Sequence, residues 1–275
     1  MNEQQIRHHL WKRAYFIIPA LNEEESLPGV LIELKNLGIE PSHILVIDNG
    51  SIDGTAKVAA EQKVFVVREP NKGYGIACLT GISFLKLLNE SPEFLVFIDG
   101  DGSDDLNDLF SLFQPFVMDA RTDFVLGTRT QGGAEKGSLS FLQKFGNALS
   151  CFLLKVFYGV EFTDLGPFRV LRWNSFLALE QKDKTWGWNL EMQIKAVQKG
   201  FHIAEVPVRY ERRKGGESKI SGTLIGSLRA GAKILWIFFY LTFLASGRRS
   251  KESTIIRIPK TVRKIYGKQG SAKIL

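Results

Sequence analysis

A chain of 275 residues is long enough for one large domain, or one domain with appendages, around a sizeable core. With 44% hydrophobic and 11% aromatic residues it is not a disordered polymer, and its two cysteines, Cys78 and Cys151, stand apart without metal-type spacing, which argues for a reducing compartment and against a disulfide framework. The net charge of +7 is uneven: from Pro207 onward 16 Lys and Arg face three Asp and Glu, so a mildly acidic body precedes a basic last quarter suited to phosphates of lipid headgroups, of a substrate or of nucleic acid.

Met1–Arg13 is polar and lacks an apolar run, so a cleaved secretion signal is not expected there. Ala14–Ile18 reads as the first strand, followed by the loop Pro19-Ala-Leu-Asn-Glu23. Asn22 is placed to cap a helix whose apolar face is Leu27, Val30, Leu31 and Leu34, with Pro28 tolerated in its first turns. Ile44–Ile47 is a second strand, ending in the polar turn Asp48-Asn-Gly-Ser-Ile-Asp-Gly-Thr55 that opens another helix. Val64–Val67 is a third, and Asn71-Lys-Gly-Tyr-Gly75 leads into a helix from about Ile76. Gly73 and Gly75 are not a dinucleotide fingerprint, because Cys78 stands where the third glycine belongs and the motif should follow the first strand.

The fourth strand, Phe94–Ile98, runs into Asp99-Gly-Asp101-Gly-Ser103. In an open α/β sheet ligands bind beyond the C-terminal ends of the strands, and two carboxylates one residue apart suit Mg²⁺ or Mn²⁺ with positions left open for a diphosphate. A lone D-x-D is a weak signal, common in ordinary loops. An EF-hand is disfavoured because Asp104 occupies the position that needs glycine. The stretch also resembles a phosphatase of the haloacid dehalogenase type, with Asp99 as nucleophile and Asp101 as general acid/base, but that motif belongs after the first strand.

Beyond this loop, Asp104 and Asp105 suit a helix N-terminus, Leu106–Phe116 reads as helix and Phe124–Leu126 as strand, ending at Gly127-Thr-Arg129. After the loop Gln131–Ser138, the residues Phe141, Phe145, Leu149, Phe152 and Val156 form one helical stripe, expected to face the core. Asp164–Arg169 is a turn, Trp186–Gln193 leads into a helix ending near Gly200, and His202–Val208 is a strand. Glu211–Lys219 is a glycine-punctuated basic loop. Ile234–Gly247 is 14 uncharged residues, too short to span a hydrocarbon core of roughly 30 Å at about 1.5 Å per residue, so it lies in an interface or against the body. Repeated strand–helix units predict an α/β fold with a mostly parallel central sheet and helices on both faces.

Pro19-Ala-Leu-Asn-Glu23, Asp48-Asn-Gly-Ser-Ile-Asp-Gly-Thr55, Lys72-Gly73, Asp99-Gly-Asp101 and Gly127-Thr-Arg129 stand in an order and spacing that resembles family 2 glycosyltransferases. Asp164-Leu-Gly-Pro-Phe-Arg169, Glu191-Met192 and Gly216-Glu-Ser-Lys219 extend the likeness, to about Leu224, to the dolichyl- or polyprenyl-phosphate mannosyl- or glucosyltransferase branch. The resemblance implies a GT-A-like fold, with a polar leader at 1–13, a catalytic domain at 14–224 and an amphipathic, basic extension at 225–275. It assigns Pro19, Ala20, Asn22, Glu23, Asp48, Lys72, Gly73 and Asp99 to the nucleotide sugar, with Asn49 where many relatives carry a second Asp. Asp99, Asp101 and Ser103 would hold Mg²⁺ or Mn²⁺. Arg129, Lys144 (or Lys136), Arg212, Lys214, Ser218 and Lys219 would grip an acceptor phosphate.

A phosphomonoester acceptor, with its second pKa about 6, needs no base. A hydroxyl acceptor would need one, and Asp164 or Glu191 are the candidates, since no His lies near the motifs. The implied reaction is inverting hexosyl transfer from a UDP- or GDP-linked sugar to a lipid phosphate, by a peripheral protein on the cytoplasmic face of an anionic membrane. A saccharide or small-metabolite hydroxyl acceptor is the second reading. A nucleotide-sugar or nucleic-acid binding module without turnover is the third, and nucleic acid is disfavoured because the basic tail carries no reading motif. Donor base, sugar and oligomeric state stay open.

Overall fold

In the computed structural model residues 2–215, 224–244 and 254–257 are described. Ser218, Lys219 and most of the basic tail lie outside them. Within the first 13 residues lies a helix, α1 (Glu3–Trp11), closed by a capping box between Asn2 and Gln5. Its last turn docks Leu10 and Trp11 into the core, where the Trp11 ring meets Phe16 and Phe113 edge-on.

The chain then alternates as expected: β1 (Ala14–Ala20), α2 (Leu27–Asn36), β2 (Ile44–Asp48), α3 (Thr55–Glu61), β3 (Phe65–Arg68), α4 (Tyr74–Leu87) and β4 (Phe94–Phe97). Next come α5 (Leu109–Met118), β5 (Thr122–Thr128), the short α6 (Arg129–Gly132), α7 (Phe141–Tyr158), β6 (Arg169–Arg172), α8 (Trp173–Leu179), α9 (Trp188–Gln198) and β7 (His202–Pro207). Among the described residues α10 (Leu224–Phe239) and β8 (Thr254–Arg257) complete the set.

The strands form one sheet in the order β3-β2-β1-β4-β6-β5-β7-β8, parallel except for β6, which runs antiparallel to both β4 and β5. Strand alternation assigns the two faces. Phe16, Ile18, Val46 and Val96 meet α1, α2, α3 and α5 on one side, and Ile17, Leu45, Ile47 and Phe97 meet α4, α8, α9 and α10 on the other. The architecture is the expected mostly parallel sheet covered by helices. β6 starts at Arg169, where the expected turn ends, and is not among the expected strands, because four residues hold too few alternations to announce one.

The order of the strands reverses at β1, which has β2 on one side and β4 on the other. The loops after β1 and β4 therefore diverge and leave a crevice between their ends, the usual place for a ligand in an open α/β sheet. Two local expectations change. Asn22 does not cap α2, whose N-cap is Ser26; it sits in a left-handed bend, φ 52°, and its side-chain oxygen accepts the Ile52 N–H at 2.9 Å. The α7 stripe does not face the core. Phe141, Phe145, Phe152 and Val156 are exposed and Leu149 is partly covered, while Ser150 and Leu154 are buried. Helical period reveals that a stripe exists, but α7 also carries Leu153, Leu154, Phe157 and Tyr158, and that face packs on the sheet side.

Candidate functional site

A cavity of about 880 Å³ opens at the crevice beside the ends of β1 and β4. Its floor is the Pro19–Glu23 loop and the Asp99–Ser103 loop, with Asn49, Lys72, Gly73 and Tyr74 on one side. Gly137 and Ser138, the start of α7 (Ser140, Gln143), the pair Thr185–Trp186, the segment holding Tyr210, Arg212 and Arg213, and Lys233 of α10 complete it. Of the residues assigned from the sequence, Pro19, Ala20, Asn22, Glu23, Lys72, Gly73, Asp99, Asp101, Ser103 and Arg212 meet here. Asp48, Arg129, Lys136, Lys144, Asp164, Glu191 and Lys214 are not on its wall.

The acidic part holds three carboxylates from one loop. Asp101 Oδ1 accepts the Ser103 N–H at 2.9 Å, and Asp101 Oδ2 accepts from Arg213 at 3.0 Å. Asp104 Oδ2 accepts the Asp99 N–H at 3.3 Å, while Asp104 Oδ1 is buried with no hydrogen-bond partner among the described residues. Burial first, then the neighbouring Asp101 charge, pushes Asp99 up to about 7, with Arg129 and Arg213 pulling the other way. Asp104 is raised too, by burial and by both neighbours.

Crowded carboxylates and an unmatched buried oxygen suit a hard cation, which would compete with Arg213 for Asp101. Asp99, Asp101 and Ser103 offer the oxygen donors that Mg²⁺ or Mn²⁺ prefers. Among the described residues no group of three or more His, Cys, Asp or Glu is arranged as a full ligand shell.

Arg213 was not singled out in the sequence, yet it is the basic residue of its run that reaches the acid pair. Its Nη2 donates to Asp101 Oδ2 and to Glu23 Oε1, each at 3.0 Å. In Arg212-Arg213-Lys214 the three charges look alike on paper, and only the backbone path decides their directions. Arg212 turns to the Lys136 carbonyl at 2.7 Å, and Lys214 is exposed beside Glu211.

The loops after β1, β2 and β3 are laced together by side chains. Asp48 Oδ1 accepts the Ser51 N–H at 2.9 Å, and Thr55 Oγ1 accepts the Glu23 N–H at 2.8 Å. Asn49 donates to the carbonyls of Asn71 (2.6 Å) and Glu69 (3.3 Å) and accepts the Gly73 N–H (2.7 Å). An aspartate could accept but not donate, so this use of the side chain requires an amide. Gly73, at φ 154°, and Gly75 let the 183–184 backbone approach closely: a Cβ on either would lie about 2 Å from a carbonyl oxygen, 2.2 Å from Lys184 and 2.0 Å from Asp183. Ile76 donates its N–H to that Lys184 carbonyl at 2.9 Å.

Neither candidate base faces the cavity. Asp164, fully buried, takes both Arg129 guanidinium contacts at 2.8 Å and the Arg129 N–H at 2.7 Å, and also accepts the Leu165 N–H. Arg129 thereby sits behind the wall, 5.0 Å from the centre of the Tyr210 ring, which does line the cavity. Arg169 of the same motif is buried against the Gly166 and Asn189 carbonyls and Gln193, and burial pulls it down to about 10.

Glu191 accepts the N–H groups of Lys182 (3.1 Å) and Asp183 (2.6 Å) and pairs with Lys195 at 2.7 Å. Its carboxylate thus fixes the 182–187 turn that presents Trp186. Glu191→Gln is expected to cost about 2 kcal/mol in urea unfolding, the scale of a hydrogen-bonded charge, and to raise the substrate KM more than it lowers kcat. A large kcat loss at unchanged stability would instead make it catalytic.

The profile of Glycosyl transferase family 2 matches residues 15–177. The polyprenol monophosphomannose synthase of Mycolicibacterium smegmatis is 32% identical over 78% of this chain and 83% of its own. The undecaprenyl-phosphate mannosyltransferase of Micrococcus luteus is 30% identical over 78% of this chain and 90% of its own. Glucosyl-3-phosphoglycerate synthase of Mycobacterium tuberculosis, solved with Mn²⁺, uridine diphosphate and phosphoglyceric acid, shares the fold at TM-score 0.66 and 17% identity, over 89% of this chain and 84% of that one.

Proposed function

The chain belongs to glycosyl transferase family 2, and from that premise we propose that it moves a hexose, with inversion, from a UDP- or GDP-linked sugar to a polyprenyl or dolichyl phosphate at a membrane surface. The observation that carries the reading is the division of charge across one cavity. Asp99 and Asp101 line it at the Asp99–Ser103 loop, and Lys72, Arg212, Arg213 and Lys233 line it from other segments. Two phosphate-bearing substrates fit between them, the donor's diphosphate toward the acids and the acceptor's phosphate toward the bases.

Asp99, Asp101 and Ser103 would hold Mg²⁺ or Mn²⁺, which when bound offsets the charge gathering on the departing nucleoside diphosphate. Pro19, Ala20, Asn22, Glu23, Lys72 and Gly73 frame the nucleotide side, with Asp48 holding the loop behind them. Asp164 and Glu191 are spent on Arg129 and on backbone amides, which supports an acceptor that arrives already ionised. Its phosphate oxygen forms the new bond to the anomeric carbon as the bond to the diphosphate oxygen breaks, and no proton is removed. Arg212, with Lys144, Lys214, Ser218 and Lys219, would steer the acceptor phosphate, and Arg129 would add positive potential from behind Tyr210. Residues 14–224 are the catalytic unit in this reading and 225–275 its membrane-side extension, on the cytoplasmic face.

The test is transfer from labelled UDP- and GDP-hexoses to polyprenyl phosphate, with Mn²⁺ or with EDTA. We expect one donor to yield an organic-soluble, alkali-resistant product and chelation to remove at least 99% of it. Transfer only to a sugar or glycerate hydroxyl would replace the acceptor, and metal-dependent donor binding without release of nucleoside diphosphate would leave a binding module.

A further inference from the structure

The outward stripe of α7 has no partner among the described residues, and it does not stand alone. α10 and the turn Tyr240–Leu244 lie beside α7: Ile234 reaches Gly146, Phe157 meets Phe238, Phe239 and Phe243 at 5.3–6.5 Å between ring centres, and the Tyr158 and Thr242 hydroxyls join at 2.9 Å. α10 and that turn bury Ile237, Phe238 and Leu241, and point Trp236, Phe239, Tyr240, Phe243 and Leu244 outward. Phe239 and Phe243 touch Phe157 while exposed, so they connect the two faces into one apolar ledge. Its exposures are large: Phe141 81%, Phe152 60%, Trp236 64% and Leu244 72%. Patches of this kind mark interaction sites.

Resting on the transfer reaction proposed above, we propose that this two-helix ledge is the surface by which the protein seats on an anionic lipid bilayer, with the cavity mouth at the membrane plane. Three observations select lipid as the occupant. The segments 141–158 and 224–244 carry no Asp or Glu, while Lys144, Lys155 and Lys233 supply positive charge, and seven more Lys and Arg occur in the sequence from Lys251. A helix pair with an apolar outer face and basic flanks binds the headgroup boundary and favours anionic lipid. The ledge is rich in Trp, Tyr and Phe, and Trp and Tyr are the residues enriched at membrane–water boundaries.

The third observation is continuity with the site. Ser140 and Gln143 of the first α7 turn line the cavity, and Phe141, Leu142 and Phe145 beside them begin the exposed stripe; Lys233 lines the cavity just before Trp236. A lipid whose chain stays in the bilayer would thus present its phosphate at the basic rim without leaving the membrane. No helix among the described residues is long and apolar enough to cross a membrane, so the contact is one of lying on the surface.

The test is flotation of the full chain with phosphatidylcholine vesicles, with and without phosphatidylglycerol, at low salt. The wild type should float with the anionic vesicles, with Trp236 emission shifting to the blue, a shift lost in Trp236→Phe. Phe145→Asp/Phe152→Asp should lower the vesicle-bound fraction at least tenfold. It should leave the melting temperature and transfer to a water-soluble short-chain prenyl phosphate unchanged, whereas Met118→Asp, an exposed apolar position on α5, should float like the wild type.

Wild-type flotation by the double variant overturns the assignment. So does sedimentation showing a wild-type dimer that the variant splits while neither form binds vesicles, which would give the ledge to a second copy. Transfer to the soluble acceptor without vesicle binding sinks the ledge and spares the reaction. Vesicle binding that depends on the ledge, without transfer to any acceptor, supports the ledge and sinks the reaction.

Discussion

Asp101→Asn is expected to lower transfer by about 10³-fold, the scale of losing a charge aimed at the reacting phosphates, while leaving the fold intact. The substitution keeps the shape, and the amide oxygen still accepts the Ser103 N–H that Asp101 Oδ1 holds at 2.9 Å. What disappears is the charge shared with Arg213 and offered to the cation. Titration calorimetry with Mn²⁺ and the donor should show the binding heat gone, and Asp99, relieved of one like-charged neighbour, should titrate lower than in the wild type. A variant that melts like the wild type and retains transfer within tenfold of it would remove Asp101 from the centre of the mechanism.

Arg129→Ala carries the largest expected effect on stability. Asp164 is fully buried, and Arg129 supplies a two-point clasp at 2.8 Å on each oxygen. Deleting the guanidinium strands a buried carboxylate, which costs about 3–5 kcal/mol. Removing the charge as well, in Arg129→Ala/Asp164→Asn, should recover part of that loss, so the double variant unfolds at higher urea than Arg129→Ala alone. Equilibrium unfolding of the wild type, both single variants and the double variant completes the cycle. Additive effects would show that the pair is not coupled, and Arg129 would then be free to act on substrate directly.

The difference between these two residues shows where reading the chain succeeds. Asp99 and Asp101 follow an apolar strand, and a parallel sheet delivers whatever comes after such a strand to its ligand edge. Lys72-Gly73 and Pro19–Glu23 were legible for the same reason. Arg129 and Asp164 also follow recognisable segments, yet they turn toward each other instead of into the cavity, and nothing in their spacing announces it. Glu191 was legible as a distinctive acid but not as the clamp for a turn nine residues upstream.

By itself the sequence determined the alternation of strands and helices, the loops that carry charge to the sheet edge, and the excess of positive charge near the end of the chain, because these follow from local period and composition. Only the tertiary structure decided that Arg213 reaches Asp101, that Asn49 ties its own loop to the one after β3, and that the α7 stripe looks outward. Each of those depends on which direction a side chain leaves a packed backbone, and that direction is set by neighbours distant in sequence: Ser103 and Glu23 for Arg213, Gly73 for Asn49, and α10 for α7.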